Sequence, residues 1–339
     1  MVAHKCAKLL SSANVGIRHT RCKTGGMKTR FAALALVSVL ATALGGCASE
    51  PGTDEVTETS GAEVSTGRCA GTIATKTATI KVMTVNLRHD VDQWERRFDL
   101  IADEIVRLDP DVIGTQEVEI NEDQADKLND RLAKRGHAKY ELSTKRKSGV
   151  KGFFTGEGIA IMSRWKIVEK QHEDIGEARV SIYARLQHPN GGFIDIIDTH
   201  LDSAGGADGD ANRLDESKQT VDLTNRNDDC FPTFLTGDFN SGETGPAVTT
   251  FQAAGFVDSY KTVHGAEYTA KNGNTSSVKL AEGAFDQSPK HRIDYVLSRN
   301  AGGRTIRPIS SEVVFKNHDA KGFYPSDHFG VITTFEVKM

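Results

Sequence analysis

The chain has 339 residues, 38% of them hydrophobic, and a formal net charge of −4. That charge becomes −11 once the seven Lys and Arg of residues 1–46, a stretch without Asp or Glu, are set aside. A chain this acidic is not built to coat nucleic acid by bulk charge, because neutralising phosphates with Lys and Arg supplies most non-specific affinity.

Phe31 to Leu44 (FAALALVSVLATAL) is an uncharged run of 14 residues preceded by Lys28 and Arg30. A spanning helix needs about 20 apolar residues, so the run is too short to cross a membrane but fits the apolar core of a signal segment. LGGC (Leu44 to Cys47) follows and resembles the lipobox of bacterial lipoproteins. The resemblance implies a lipid on Cys47 and an extracytoplasmic protein, anchored to the cell membrane or secreted. Residues 1–46 are thus read as a signal segment, with Met27 as a possible true start. Residues 47–67 are rich in Ser, Thr, Glu and Gly without aromatics, as expected of a flexible linker. Residues 68–339 are expected to form one domain. Cys6 and Cys22 fall in the segment to be removed, which leaves Cys69 and Cys230 as an even pair in an oxidising compartment. A disulfide between them is expected, with two buried thiols as the alternative.

Along the domain, TIKVMTVNLR (Thr79 to Arg88) is β-branched and apolar, hence a core strand. Trp94 to Leu108 carries apolar residues at helical spacing and stops at Asp109-Pro110. DVIGTQE (Asp111 to Glu117) predicts a strand and Asp123 to Gly136 an amphipathic helix. GIAIMSR (Gly158 to Arg164) and ARVSIYARL (Ala178 to Leu186) are strands either side of a short connector. FIDIIDTHLD (Phe193 to Asp202) is a strand and Leu214 to Thr224 a helix. The strands FPTFLTGDFN, RIDYVLS and FGVITTFEV complete the set. His264 to Lys290 reads as an irregular surface loop. Mixed strands and helices predict an α/β sandwich.

Several of these strands end in polar groups: Asn86, Glu117, His200, then Asp238 and Asn240. Asp294 stands in RIDY, and Asp327 and His328 precede the last strand. Polar groups at the ends of apolar strands are costly unless used or paired, so their repetition predicts a shared pocket. Oxygen donors without cysteine favour Mg²⁺ or Ca²⁺ over zinc. Two histidines that can pair with carboxylates suit general acid and base work. With no Ser or Cys nucleophile motif in view, the set suggests water attacking a phosphate ester.

MTVN, GTQE, THLD, GDFN, RIDYVL and SDHF, in that order, resemble the endonuclease/exonuclease/phosphatase superfamily that includes DNase I. The resemblance spans residues 79–339 and implies a four-layer α/β sandwich, two packed sheets flanked by helices, with the site at one edge. It further implies a metal, Mg²⁺ with Mn²⁺ or Ca²⁺ as alternatives, at Asn86, Glu117 and Asp327. Asp238 and Asn240 would position water and phosphate. Asp294 would orient His328, a candidate general base, and His200 would serve as the second histidine. Glu157 would hydrogen-bond His200, and Arg179 and Arg88 would bind substrate phosphate. Arg88 stands where the abasic-site branch of the family has Asp, which turns the reading away from DNA repair.

Three functions compete: a metal-dependent nuclease on DNA or RNA, which is preferred; a phospholipid or inositol phosphate hydrolase; and a binding protein that lost catalysis. A monomer is expected. Nucleic acid requires a local basic surface, for which STKRKSGVKG (Ser143 to Gly152), with Lys145, Arg146, Lys147 and Lys151, is the candidate; a solvated loop is the alternative.

Overall fold

The first strand, β1 (Thr77–Asn86), buries both of its faces, because Ile80 and Val82 enter one apolar cluster and Met83 and Val85 another. A strand enclosed on both sides reads as a continuous apolar run, which is why its sequence signal is strong. The computed structural model in which it lies describes residues 76–149, 154–176, 178–227 and 230–339. The expected signal segment, the linker, Cys69 and Lys151 lie outside the described residues. Cys230 is disulfide-bonded.

The other strands are β2 (Val112–Glu119), β3 (Glu141–Arg146), β4 (Glu157–Ser163), β5 (Lys166–Gly176), β6 (Arg179–Gln187), β7 (Phe193–His200), β8 (Thr233–Asp238), β9 (Val257–Asp258), β10 (Asp294–Arg299), β11 (Ile306–Val314) and β12 (Gly330–Lys338). The helices are α1 (Trp94–Leu108), α2 (Gln124–Lys134), α3 (Gly206–Arg226), α4 (Pro246–Ala253) and α5 (Ser259–His264). One six-stranded sheet runs β11-β12-β1-β2-β4-β3 and the other β5-β6-β7-β8-β10-β9. Only β1/β2 and β7/β8 pair in parallel, and each pair is joined by a long helix, α1 or α3. That is the crossover parallel strands require.

Three apolar clusters make the layers. Ile80 and Val82 meet Ile182, Ile194 and Phe234 between the sheets. Phe98, Ile101 and Leu128 of α1 and α2 cover the outer face of the first sheet, and Leu223 and Phe251 of α3 and α4 that of the second. The four-layer sandwich expected from the sequence is the observed fold.

Helix α1 has the expected bounds, and Asp109 takes a left-handed conformation at its end with its N–H on Ile105 O. Elsewhere the structure corrects the sequence reading. The connector between β4 and β6 is itself β5, an edge strand whose polar and half-buried residues alternate too weakly to show a core face. Likewise β3, β9, β11, α4 and α5 are real elements. β11 carries Pro308 and an irregular register beside it, tolerable because it is an edge. Helix α3 begins eight residues earlier than Leu214, in a stretch (GADGDANR) with no apolar periodicity.

Candidate active site

Strand register builds the site before any side chain is considered. His200 stands beside Asp238 across the parallel β7/β8 pair, and Asp238 beside Asp294 across β8/β10. In the facing sheet, Asn86 stands beside Gln116. Thr115 pairs with Ala160 but Val118 with Gly158, three steps on β2 against two on β4. This bulge contains Glu117, whose φ is +51°, and it turns that carboxylate out of the sheet into the cleft. Asn240 likewise takes a φ of +47°, with its N–H on Asp238 Oδ1 at 2.9 Å. Strained backbone of this kind persists only where the surroundings hold it.

The strand ends enclose a cleft of about 330 Å³. Arg88, Glu117, Glu157, Arg179, His200, Asp238, Asn240, Asp327 and His328 line it, as the sequence reading expected. Asn86 and Asp294 are fully buried behind its wall. The amide of Asn86 is engaged at both ends: Nδ2 donates to Glu117 Oε1 at 2.9 Å and Asp238 Oδ2 at 3.2 Å, and Oδ1 accepts from Arg88 N–H at 2.8 Å. Asn86 therefore bridges the two sheets and positions both carboxylates. Asp294 Oδ2 meets His328 Nδ1 at 2.9 Å, the pairing expected for it. Arg88 is in the cleft but bound to carboxylates, to Asp327 at 3.2 Å and Asp92 at 3.1 Å.

The basic run is also corrected. Lys145 and Arg146 belong to β3, opposite Ile159 and Gly158, and Lys147 continues the ladder with its N–H on Glu157 O. Alternation sends neighbouring side chains to opposite faces. Arg146 goes outward to Asn121 Oδ1, whereas Lys147 turns into the cleft and is buried against Glu157 Oε1. Glu157 is thereby drawn from its expected partner: His200 Nδ1 lies 3.7 Å from it and has no hydrogen-bond partner among the described residues.

Charge states follow from burial and neighbours. Burial pushes Asp238 up to about 7, with Asp294 adding to the effect. His328 loses charge stabilisation to burial, but Asp294 and Asp238 outweigh it and raise it to about 10. Both carboxylates therefore favour its protonated form. Burial, then Lys147 and Arg179, hold His200 well below the ordinary histidine range, so it is neutral.

Three residues with structural consequences at the site escaped the sequence reading, and Lys147 entered it only as part of a basic surface run. Arg97 is fully buried and donates to the carbonyls of Leu87, Arg88, His89, Val91, Asp92 and Pro325, which clamps the loop after β1 to the segment before His328. Asp198 is buried beneath the site, accepting from Gln116 Nε2 at 2.7 Å and Thr236 Oγ1 at 2.8 Å, and burial raises its pKa well above the carboxylate range. Ser276, from the supposed surface loop, places Oγ 3.3 Å from His328 Nε2. Only the inward-facing position of Asp198 in IIDTH gave any signal; the others needed long-range contacts. A larger groove, about 680 Å³, lies along Val257, Arg299, Ala301 and Pro308, and no acidic or histidine side chain lines it.

Glu117, His200 and Asp238 each bring a ligand atom within 4.8 Å of the others. Asp327 Oδ1 is buried in the same wall without a partner among the described residues. A mainly oxygen donor set with an orphaned carboxylate oxygen fits a hard divalent cation.

The family model described as the Endonuclease/Exonuclease/phosphatase family matches residues 83–328. No curated protein matches the chain in sequence. Among solved structures, an endonuclease/exonuclease/phosphatase family protein from Bacteroides thetaiotaomicron is similar with a TM-score of 0.62 at 21% identity, covering 77% of this chain and 96% of that one. A mannosyl-6-phosphatase from the same species gives 0.61 at 21%, over 77% and 100%. D. rerio TDP2 complexed with a single-strand DNA product gives 0.58 at 16%, over 76% and 99%. At such identities the structural likeness shows the fold alone.

Proposed function

Because the chain belongs to the endonuclease/exonuclease/phosphatase family, we propose that it hydrolyses phosphate esters by attack of water on phosphorus, with Mg²⁺ as cofactor and Mn²⁺ or Ca²⁺ as alternatives. The convergence of Glu117, His200 and Asp238 in one cleft whose wall carries Arg179 supports this reading. Glu117, with Asp238 and Asp327, would hold the cation, which when bound supplies positive charge to a phosphoryl oxygen. Asp238, with Asn240 beside it in the cleft, would position the attacking water. His328, charged and held by Asp294, donates to developing negative charge, and Arg179 supplies a planar donor fork.

The sequence favoured polymeric DNA or RNA. With Lys147 inside the cleft and Arg146 on the opposite face, the described part of the basic run makes no continuous track for a duplex. A phosphate presented singly, by a small phosphorylated molecule or at the end of a single strand, suits the cleft better. The neighbour holding a single-strand DNA product and the neighbour named a mannosyl-6-phosphatase favour testing both. A phosphorylated sugar, a 5′-phosphorylated single strand, duplex plasmid, sphingomyelin and an inositol phosphate, each with Mg²⁺ or a chelator, form the deciding panel. Metal-dependent turnover of the first two above the rest is expected; no turnover of any would overturn the reading. We also propose export with lipid on Cys47, in which case Cys47→Ala shifts the protein from the membrane fraction to the soluble one.

A further inference from the structure

Lys147 is the least expected group in the cleft. Its side chain is 5% exposed, and its register opposite Glu157 makes the ion pair a built-in cross-strand contact. An ammonium has three donors, and burying one is costly unless they are used. Glu157 Oε1 is its one hydrogen-bond partner among the described residues. The same wall holds two further buried nitrogens with no hydrogen-bond partner among the described residues, Arg179 Nη1 and His200 Nδ1. The other end of Arg179 reaches Ser203 Oγ at 3.2 Å and stands 3.8 Å from Asp202. Asp202 is already committed, accepting from Ala204 N–H and Asn212 Nδ2. Of the two buried cations only Lys147 has a hydrogen-bonded carboxylate, Glu157, because the nearest carboxylate to Arg179, Asp202, stands at 3.8 Å.

We infer that Lys147 and Arg179 form a seat for the phosphoryl oxygens of the substrate, and that the arriving phosphate takes Lys147 from Glu157 and frees Glu157 to hold His200 Nδ1. The inference rests on the phosphoesterase reading for its substrate, not for its geometry. Glu157 needs to close only the 3.7 Å gap to accept from an Nδ1–H that has no other acceptor among the described residues. Lys147 is then a substrate ligand and Glu157 a positioning residue, idle on the lysine until substrate is present. A phosphate group with two or more unesterified oxygens on the cleft side would satisfy both cations at once.

Inorganic phosphate, the common product, is the probe. In Lys147→Met its competitive inhibition constant should rise on the order of 10–100-fold, the worth of a hydrogen bond to a charged group. KM should rise alongside while kcat falls much less, because Glu157 is already released. Lys147→Arg should restore phosphate affinity, and Glu157→Gln should lower kcat while leaving KM nearly unchanged. Imidazole NMR gives the direct signature. Phosphate with Mg²⁺ should bring up a hydrogen-bonded His200 Nδ1 proton in the wild type, whereas Lys147→Met should show it without phosphate. Unchanged phosphate inhibition in a folded Lys147→Met, or no Nδ1 signal under any condition, overturns the inference. If phosphate binds and the His200 signal appears but no ester is hydrolysed, the functional reading fails and the seat stands.

Discussion

The two sides of the cleft differ in which buried polar atoms are left without partners among the described residues, carboxylate oxygens of Asp294 and Asp327 on one and nitrogens of Arg179 and His200 on the other. On the side of Glu117 and Asp238, Asn86 donates to both carboxylates, Asn240 caps Asp238, and Arg97 fixes the adjoining loop through six backbone carbonyls. On the side of Lys147 and Arg179, His200 Nδ1 and Arg179 Nη1 have no partner among the described residues. Buried polar groups are nearly always paired, so unpaired donors that line a cleft mark where a ligand completes the structure. The first side is preorganised and the second waits for an anion.

The comparison breaks first under substitution of the groups the two sides aim at the substrate. Glu117→Gln on one side and His200→Ala on the other should each lower turnover on the order of 10²–10⁴-fold, the usual worth of such groups. Their double variant should lose far less than the product of the two, because they act on one transition state. Near-normal rates for either single variant would remove that residue from the mechanism.

Rigidity of the first side is tested at Arg97. Arg97→Met strips hydrogen bonds from buried carbonyls and should cost at least about 3 kcal/mol in denaturant unfolding. A loss under about 1 kcal/mol would show that the loop holds without its clamp. Activity should fall along with stability, since the loop carries Arg88 and the clamp reaches Pro325, beside the Asp327–His328 segment.

The pH profile sharpens the contrast further. Asp238 is protonated below about 7, so kcat/KM should fall as pH drops through that value. A bound cation favours the carboxylate over the acid, so saturating Mg²⁺ should move this limb to lower pH. A limb insensitive to Mg²⁺ would place Asp238 away from the cation. The smallest effect belongs to the rim: Lys145→Glu and Arg146→Glu should change turnover of a small ester by less than about fivefold, since half-exposed charges contribute little. A large loss would mean that β3 does more than carry Lys147.

The apolar, β-branched run over Thr79 to Arg88 and the helical spacing from Trp94 to Leu108 are local properties, and they put the first strand and the first helix where the structure has them. The polar strand ends gave most of the site, because a carboxylate closing an apolar run betrays itself in sequence. Local pattern did not reveal β5 or β11, edge strands with one weakly buried face, or α4 and α5, which are too short for periodicity to register. Nor could it assign partners. Whether Glu157 faces His200 or Lys147 depends on a β3/β4 register set by residues on both strands, and Arg97 is an ordinary helix residue until the chain segment 228 residues later is folded against it. Sequence determined which groups stand at the ends of strands, because burial periodicity is written in adjacent residues. Tertiary structure alone decided which of them meet, because a charge pair or an orphaned donor is a property of two distant segments brought together.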